Sequence, residues 1–354
     1  MPDLPSPQRG SIWKWLFEAR DINSLAPAAK VLTYGALLTW SIVVLFPLYW
    51  VVITSLKLPI QVDDGADYLP FIDFEPSLHA WRYILVDLGN DTLRPYTNSL
   101  IIASASTLIA VLFGAMAAYA LVRVRFEIKL AAVGAFVLML VLTVAAVSVG
   151  GVRWPVAAAS GVALFLLFVT GFNSRFKRSV GNNDIQFWFI SNRIMPPVVV
   201  VLPIYIMFQQ VGLLDTRVAV IATYVAVNLP IVVWLMRDFF AAVPIDLEES
   251  AAMDGASRQR IFWTIVLPLT KPGLVATSLL VFILAWNEYL LALFISTVNA
   301  QTMPLLIAAQ NATRGPQWWY MSVLILIMIA PVVILSVILQ KQIARGLLVG
   351  AVKG

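Results

Sequence analysis

The chain has 354 residues, of which 60% are hydrophobic and only 12% charged, and it contains no cysteine. This composition excludes an ordinary soluble globular domain, and the lack of cysteine excludes disulfides and thiol chemistry. The net charge of +5 is modest, and the placement of basic residues in a membrane topology accounts for it, so nucleic acid is not an expected partner.

Long apolar segments follow one another along the chain, each roughly the 19–25 residues that a helix needs to cross a bilayer. Their apolar residues run continuously and do not alternate, unlike the strands of a membrane barrel. We therefore predict an all-α polytopic membrane protein with about eight transmembrane helices. They lie near 31–54, 98–121, 130–149, 154–172, 187–211, 218–236, 273–295 and 319–340.

Most of the 24 Lys and Arg residues fall on segments that share one side of this topology, which predicts the cytoplasmic side. Both termini, 1–30 and 341–354, and the loop 237–271 are then cytoplasmic, and 31–340 is the transmembrane domain. The first apolar run is too long for a signal-peptide core and has no evident cleavage site after it. We expect a retained membrane helix there.

Two regions stand out between the apolar segments. The segment 57–96 is rich in aromatic residues and is expected outside, with His79, the only histidine, in a surface or packing role because no cluster of zinc ligands surrounds it. The region 127–184 contains two apolar runs joined by the tight turn 150–153, and it reads as a helical hairpin. The hairpin is expected to face lipid; a surface for an additional partner is the alternative.

Several chemistries are missing from the sequence. No phosphate-binding loop, no H-E-x-x-H zinc motif and no nucleophile elbow occurs. Few ionisable residues lie deep within the apolar segments, which disfavours an ion-coupled carrier with an internal relay. The chain is therefore expected to take its energy from another protein.

The stretch from Asp246 to Pro272 is a charged island between two apolar runs. Asp246 is a predicted N-cap with Glu249 three residues later, so a short helix is expected from about Leu247 to Gly255. A second short helix, capped by Ser257, is expected to end at Pro268. The small residues of the first helix would let another protein approach closely.

The spacing within this island resembles the E-A-A loop of ABC-importer permease subunits: E-A-A, three residues, G, nine residues, I-x-L-P. Ser250 stands where the first alanine of that pattern usually lies. Further motifs resemble the maltose-type second permease subunit of carbohydrate importers. They are Asn98-Ser99-Leu100, Ala118-Tyr119-Ala120-Leu121 with Arg123 and Phe126, Arg193-Ile194-Met195-Pro196-Pro197, Trp286-Asn287-Glu288-Tyr289, and the tail from Gly346 to Gly354. The resemblance covers about 30–126 and 185–354, and 127–184 is an insertion into the usual six spans.

The resemblance implies a binding-protein-dependent importer in the bacterial inner membrane that moves an oligosaccharide, glycoside or polyol. Its other parts would be a second homologous permease subunit, a homodimeric ABC ATPase and an extracytoplasmic solute-binding protein, with membrane lipid around it. This subunit would be non-catalytic and hold no cofactor, since ATP and Mg would bind the ATPase subunits. The residues implied in coupling to the ATPase are Glu249, Ser250, Ala251, Asp254, Gly255, Ala256, Ile265, Leu267 and Pro268.

Candidate residues of the translocation pathway are Arg193, Pro196 and Pro197, where the two prolines should break the helix, and Asn287, Glu288 and Tyr289, with Asn287 and Glu288 in the outer half of another span. Irregular backbone at membrane depth is tolerated where protein or a water-filled cavity covers it. The alternatives are snorkelling or an ion pair for Arg193 and hydrogen bonds between helices for Asn287 and Glu288.

Three alternative functions remain open from the sequence. The same architecture could import another polar solute, such as a polyamine, a phosphate ester or an amino acid derivative. An ion-coupled secondary carrier would work without an ATPase, but the charged island and the scarcity of buried acids disfavour it. A membrane-embedded enzyme would need a catalytic cluster that the sequence does not contain.

Overall fold

The computed structural model describes residues 26–65, 67–172, 175–194, 196–311 and 315–351. The predicted N-terminal segment up to residue 25 and the last three residues of the tail lie outside these ranges. The described residues form two compact units. Unit 1 contains the residues up to Thr92 together with Ile307–Ile329, and unit 2 contains Leu93–Leu306 together with the residues from Ala330.

The described chain is mostly helical, which confirms the predicted fold class. The helices are α1 (Pro27–Thr54), α2 (Pro59–Asp63), α3 (His79–Arg82), α4 (Gly89–Arg123), α5 (Leu130–Ser148), α6 (Trp154–Gly171), α7 (Asn182–Ile194), α8 (Pro197–Gln210), α9 (Arg217–Ala241), α10 (Ile245–Met253), α11 (Arg258–Ile261), α12 (Leu267–Leu269), α13 (Lys271–Trp286), α14 (Leu290–Ile295), α15 (Met303–Ala309) and α16 (Trp318–Ala351). Strands β1 (Ile128–Lys129) and β2 (Ser179–Val180) form one short ribbon, and π-helical turns follow α3 (Tyr83–Asp87) and α11 (Phe262–Val266).

In the described part of the chain, six helices are long and apolar enough to cross a membrane: α1, α4, α5, α6, α9 and α16. A seventh candidate is the helical run from Arg258 to Trp286, which bends by 79° before α13. The predicted count of eight is not confirmed. The segment 187–211 is divided between α7 and α8, and 273–295 is divided between α13 and α14.

Unit 1 is built on the end of α1 and the segment that follows it. Trp81 donates from Nε1 to Ser55 Oγ over 3.2 Å, and the Tyr49 hydroxyl donates to the Tyr68 carbonyl. His79 lies 3.3 Å from the hydroxyl of Tyr320, between Nε2 and Oη. This contact agrees with the packing role expected for His79.

Unit 2 is organised around α9, which packs against α7, α13 and α14. Small residues let α4 approach it closely, as expected for helices that pack within a membrane. A Cβ atom on Gly114 would lie 2.6 Å from Cγ1 of Val232, a side chain that is completely buried. The resulting core joins these helices to the segment that follows α9.

The predicted hairpin is present as α5 and α6, with Gly151 at a φ of 61° in the turn between them. Its base is closed by the antiparallel β1–β2 ribbon, in which Ile128 pairs with Val180. Asn182 fastens this base to α4. Its Nδ2 donates to the carbonyls of Leu121 and Val124 over 2.6 and 2.7 Å, and its Oδ1 accepts from the Phe126 amide over 2.8 Å.

Candidate functional site

The charged island folds as a run of short helices, residues 245–269, after the end of α9; we name it the docking segment after its predicted role. Its first helix, α10, begins directly after Pro244, which has a φ of −57°. The predicted N-cap at Asp246 is therefore wrong: the N-cap is Pro244, with a ψ of 131°, and Asp246 already lies in the first helical turn. Asp246 and Glu248 lie in the first turn, where carboxylates interact favourably with the helix dipole.

The end of α10 follows the prediction. Gly255 has a φ of 83°, its amide donates to the Ala252 carbonyl over 3.0 Å, and the Ala256 amide donates to the Ala251 carbonyl over 3.0 Å. These two bonds form a Schellman motif, which needs a residue that tolerates the left-handed conformation. Gly255 thus fixes the direction in which the chain leaves α10.

The second helix starts as predicted, because the Ser257 hydroxyl accepts from the Arg260 amide over 3.3 Å. It does not end at Pro268. The helical run continues through the π-helical turn 262–266 into α12, which ends at Leu269. Pro268 lies in the last turn of this run, one residue before its end at Leu269.

A buried ion pair anchors α10 to the membrane helices. Arg123, the last residue of α4, donates from Nε to Oε1 of Glu248 over 2.7 Å, and the Tyr119 hydroxyl donates to Oε2 over 2.7 Å. The Arg123 guanidinium also donates to the carbonyls of Phe240 and Val243, over 3.2 and 2.7 Å. One side chain therefore holds the end of α4, the end of α9 and the start of α10.

Sequence reasoning missed Glu248. The available signal was the pair Tyr119 and Arg123, which are four residues apart and so lie on one helix face. Both were recognised as part of a motif, but the acidic residue that they contact is more than a hundred positions away. Neighbouring Glu249 is exposed. The two adjacent carboxylates thus differ: Glu248 points into the protein and Glu249 away from it.

The other predicted coupling residues divide in the same way. Exposed positions are Glu249, Ser250, Asp254, Gly255 and Pro268, and partly buried positions are Ala251, Ala256, Ile265 and Leu267. Three of the partly buried residues, Ala251, Ala256 and Leu267, pack against the core of unit 2. Met253 was not predicted, although 88% of its surface is exposed at the end of α10.

A groove of about 270 Å³ runs beside α10. Leu247 and Pro244 form its near wall, and Leu269 and Pro272 line it from the end of the docking segment. The docking segment therefore presents acidic, small and apolar groups on one outward surface.

The predicted helix interruption at Pro196–Pro197 is present, and a second interruption, at 287–289, was not predicted. The helix α7 ends at Ile194 and α8 begins at Pro197, with Pro196 as the extended residue before it. The Arg193 side chain and Met195 lie outside the described part of the chain. The second interruption separates α13 from α14 at residues 287–289. The two are connected in space, because α8 packs against α14.

Side chains at the second interruption satisfy the local backbone. Asn287 donates from Nδ2 to the Ile283 carbonyl over 2.8 Å, and Glu288 accepts from the Leu291 amide through Oε1 over 3.0 Å. The buried Tyr224 hydroxyl donates to the Glu288 carbonyl over 3.1 Å. Asn287 and Tyr289 are exposed. The side chains of Asn287 and Glu288 thus bond to backbone within four residues, not between helices as the predicted alternative had it; the bond from another helix goes to the Glu288 carbonyl.

A carboxylate cage lies at the loop between α8 and α9. Asp215 accepts from the backbone amides of Thr297, Val298, Asn299 and Ala300 over 2.9–3.1 Å. Burial opposes ionisation of this carboxyl, but the hydrogen bonds from Asn299, Thr297 and Ala300 outweigh it, so the pKa of Asp215 lies well below its usual range.

The predicted Asn98-Ser99 motif at the second apolar segment supports the same loop. Asn98 is fully buried, donates from Nδ2 to the carbonyls of Asn299 and Gln301, and accepts from Arg217 Nε over 2.7 Å. The Ser99 hydroxyl accepts from the Met303 amide over 2.8 Å. The motif thus fixes the loop between α14 and α15.

Comparison with known proteins assigns the chain to a family. The model of the binding-protein-dependent transport system inner membrane component matches residues 175–349, which include the docking segment and both interruptions. The trehalose transport system permease protein SugB of Mycobacterium tuberculosis (strain CDC 1551) is 31% identical, across 92% of this chain and 99% of that protein. The trehalose/maltose transport system permease protein MalG of Thermococcus litoralis is 29% identical, across 92% and 96%.

A solved structure has the same fold. It is a bacterial ABC transporter involved in the import of the acidic polysaccharide alginate, with a TM-score of 0.55 and 20% identity, across 89% of this chain and 96% of that chain. The similarity to SugB and MalG extends over nearly the whole length of each protein. The chain therefore belongs to the binding-protein-dependent transport system inner membrane components, the permease subunits of ABC importers.

Proposed function

We propose that this permease subunit imports a carbohydrate, in an assembly with a second permease subunit, a homodimeric ABC ATPase and an extracytoplasmic binding protein. ATP and Mg bind the ATPase subunits in this proposal, and the docking segment and both termini lie in the cytoplasm. The observation that carries it is the docking segment itself: α10 has a rigid inner anchor at Glu248 and an outward surface around Glu249 and Met253.

The geometry supports α10 as the element that transmits force. A helix held at its start by the Arg123–Glu248 ion pair and closed at its end by Gly255 moves as one body, whereas a flexible loop would absorb a displacement. The exposed residues Glu249, Ser250 and Asp254 would contact the ATPase. Ala251 and Ala256 would let α10 sit close to its own core.

The transported class rests on the relatives. SugB and MalG are named for trehalose and maltose, and a further relative, DasC of Streptomyces coelicolor, is a diacetylchitobiose uptake permease that is 36% identical over 51% of this chain. In the pathway we place the interruptions at Pro196–Pro197 and 287–289, with Arg193 as a further candidate. Exposed amide and aromatic groups such as Asn287 and Tyr289 suit sugar hydroxyls and ring faces.

The docking surface is tested by Met253→Glu. This substitution changes an exposed side chain at the end of α10 and leaves the buried anchor intact, so the chain should insert normally while ATPase co-purification falls at least tenfold. The matched control is Val298→Glu, an exposed apolar residue far along the chain from α10, which should retain the ATPase. Gly255→Pro should also uncouple ATP hydrolysis, because proline cannot adopt the φ of 83°.

Normal ATP-driven uptake by Gly255→Pro, or equal ATPase recovery with Met253→Glu and wild type, would contradict the docking role. The cargo is tested by ATPase stimulation in the reconstituted complex with its binding protein and a panel of sugars, polyamines and phosphate esters. Stimulation by a non-carbohydrate alone would overturn the proposed substrate class. Uptake that follows an ion gradient without ATP would overturn the importer mechanism.

A further inference from the structure

Unit 1 contains a cavity of about 320 Å³ that the transport mechanism does not use. It lies at the end of α1, and the first residue of α16 closes one side. Its lining combines two indole rings, a hydroxyl and an ammonium group: Trp50, Thr54, Lys57, Val62, Gly65 and Trp318.

The ammonium group in this cavity belongs to Lys57 and is buried. Only 2% of the surface of Lys57 is exposed, and its Nζ donates to the Asp67 carbonyl over 2.6 Å. The rings of Trp50 and Phe74 lie 5.4 and 4.9 Å away, at cation–π distance. No carboxylate among the described residues forms an ion pair with it; Asp73 contributes at longer range.

An ammonium group has three N–H donors, and the Asp67 carbonyl accepts only one. Burying a positive charge is costly unless a negative group pairs with it. The aromatic faces offset part of that cost, but they do not replace a hydrogen-bonded anion.

A second group in the same cavity also lacks a partner. The Thr54 residue is 4% exposed, and its Oγ1 has no hydrogen-bond partner within the described ranges. Buried hydroxyls are normally hydrogen-bonded, even if only to a carbonyl one turn earlier in their helix. Thr54 and Lys57 therefore offer a hydroxyl donor and a cationic donor to one enclosed space.

The position of the cavity indicates where an anion would come from. Lys57 follows the last residue of α1 by three positions, and α1 is almost wholly exposed on its apolar surface, as expected for a helix surrounded by lipid. Trp50 and Trp318 lie at ends of apolar helices, the depth at which tryptophan is enriched in membrane proteins. Phospholipid phosphates occupy this depth.

We propose that this cavity binds the phosphate group of a membrane phospholipid. Lys57 pairs with the phosphate oxyanion, the Thr54 hydroxyl donates a hydrogen bond to it, and the two indole rings contact the adjoining glycerol and acyl carbons. A neutral sugar would leave the Lys57 charge uncompensated, so the site differs in chemistry from the proposed cargo.

The site is tested by native mass spectrometry of the detergent-solubilised full complex, titrated with phosphatidylglycerol. Wild type should retain one phosphatidylglycerol molecule that Lys57→Met binds at least tenfold more weakly, while Lys57→Arg keeps it. Thr54→Val, which preserves shape and removes only the hydroxyl, should bind about fivefold more weakly. Arg82→Met removes an exposed charge from the same segment and should bind as wild type does.

Equal lipid retention by wild type and Lys57→Met would overturn the proposal. An equal loss in Arg82→Met would also overturn it, because the effect would then reflect general surface charge. A titration with inorganic phosphate distinguishes a lipid phosphate from a free one. If it binds with the same dependence on Lys57 while phosphatidylglycerol does not, the lipid source is wrong.

Discussion

The ion pair between Arg123 and Glu248 leads to a quantitative prediction about how α10 is held. Their side chains are 15% and 10% exposed, so neither charge is well solvated. Removing one partner of a buried pair typically costs about 3–5 kcal/mol, because the other charge is left unpaired. Arg123→Met also removes the donors to the Phe240 and Val243 carbonyls, so we expect the upper end of that range.

Glu248→Gln should cost less, about 2–3 kcal/mol, since the volume is kept and Arg123 still donates to two carbonyls. The matched control is Glu249→Gln, which removes the same charge one residue away at an exposed position. It should lie within about 0.5 kcal/mol of wild type. The double variant Arg123→Met with Glu248→Gln should lose less than the sum of the two single losses, because no buried charge is then unpaired.

The measurement is denaturant unfolding of the full chain in mixed micelles, followed by far-UV circular dichroism, for the four members of the cycle and the control. Equal stabilities for Glu248→Gln and Glu249→Gln would refute the inward orientation of Glu248. Strict additivity in the cycle would refute a direct interaction with Arg123.

Two further predictions concern other parts of unit 2. Asp215→Asn should lower stability by about 2 kcal/mol at neutral pH, because it replaces a charge-assisted acceptor. The folded pKa of Asp215 is below the unfolded one, so its contribution to stability is complete above about pH 4 and is lost as the pH falls through the folded pKa. In melting curves, wild type should therefore lose its advantage over Asp215→Asn on acidification. An equal response of both proteins to acid would contradict this. Gly114→Ala should destabilise the protein by about 1–3 kcal/mol, because the new Cβ meets Val232. The control Gly35→Ala, whose Cβ would have nothing within 4 Å, should be neutral. Equal melting temperatures for the two glycine variants would argue against close packing of α4 and α9.

Local rules predicted the parts of the docking segment that depend on neighbouring residues. Gly255 and Ser257 act through hydrogen bonds within four or five positions, so their roles could be read from the sequence. Asp246 failed as an N-cap for an equally local reason, since the N-cap position of α10 is taken by Pro244, two residues earlier.

Features that depend on distant contacts were less predictable. Glu248 had no local mark to separate it from Glu249, and only its contacts with α4 distinguish them. Hydropathy likewise predicted one span where the structure has α13 and α14, because a single short polar stretch does little to lower the mean hydropathy of a long window. The carboxylate of Glu288, which caps the new helix, is what makes that break stable.

The base of the α5–α6 hairpin has a consequence for how this chain could have diversified. In the β1–β2 ribbon the chain leaves at Ile128 and returns beside it at Val180, and Asn182 ties both ends to α4. The residues between these points therefore form one insertion whose two ends lie side by side. Two membrane crossings can therefore be gained, exchanged or lost in one genetic event, without changing the side of the membrane on which any later segment emerges.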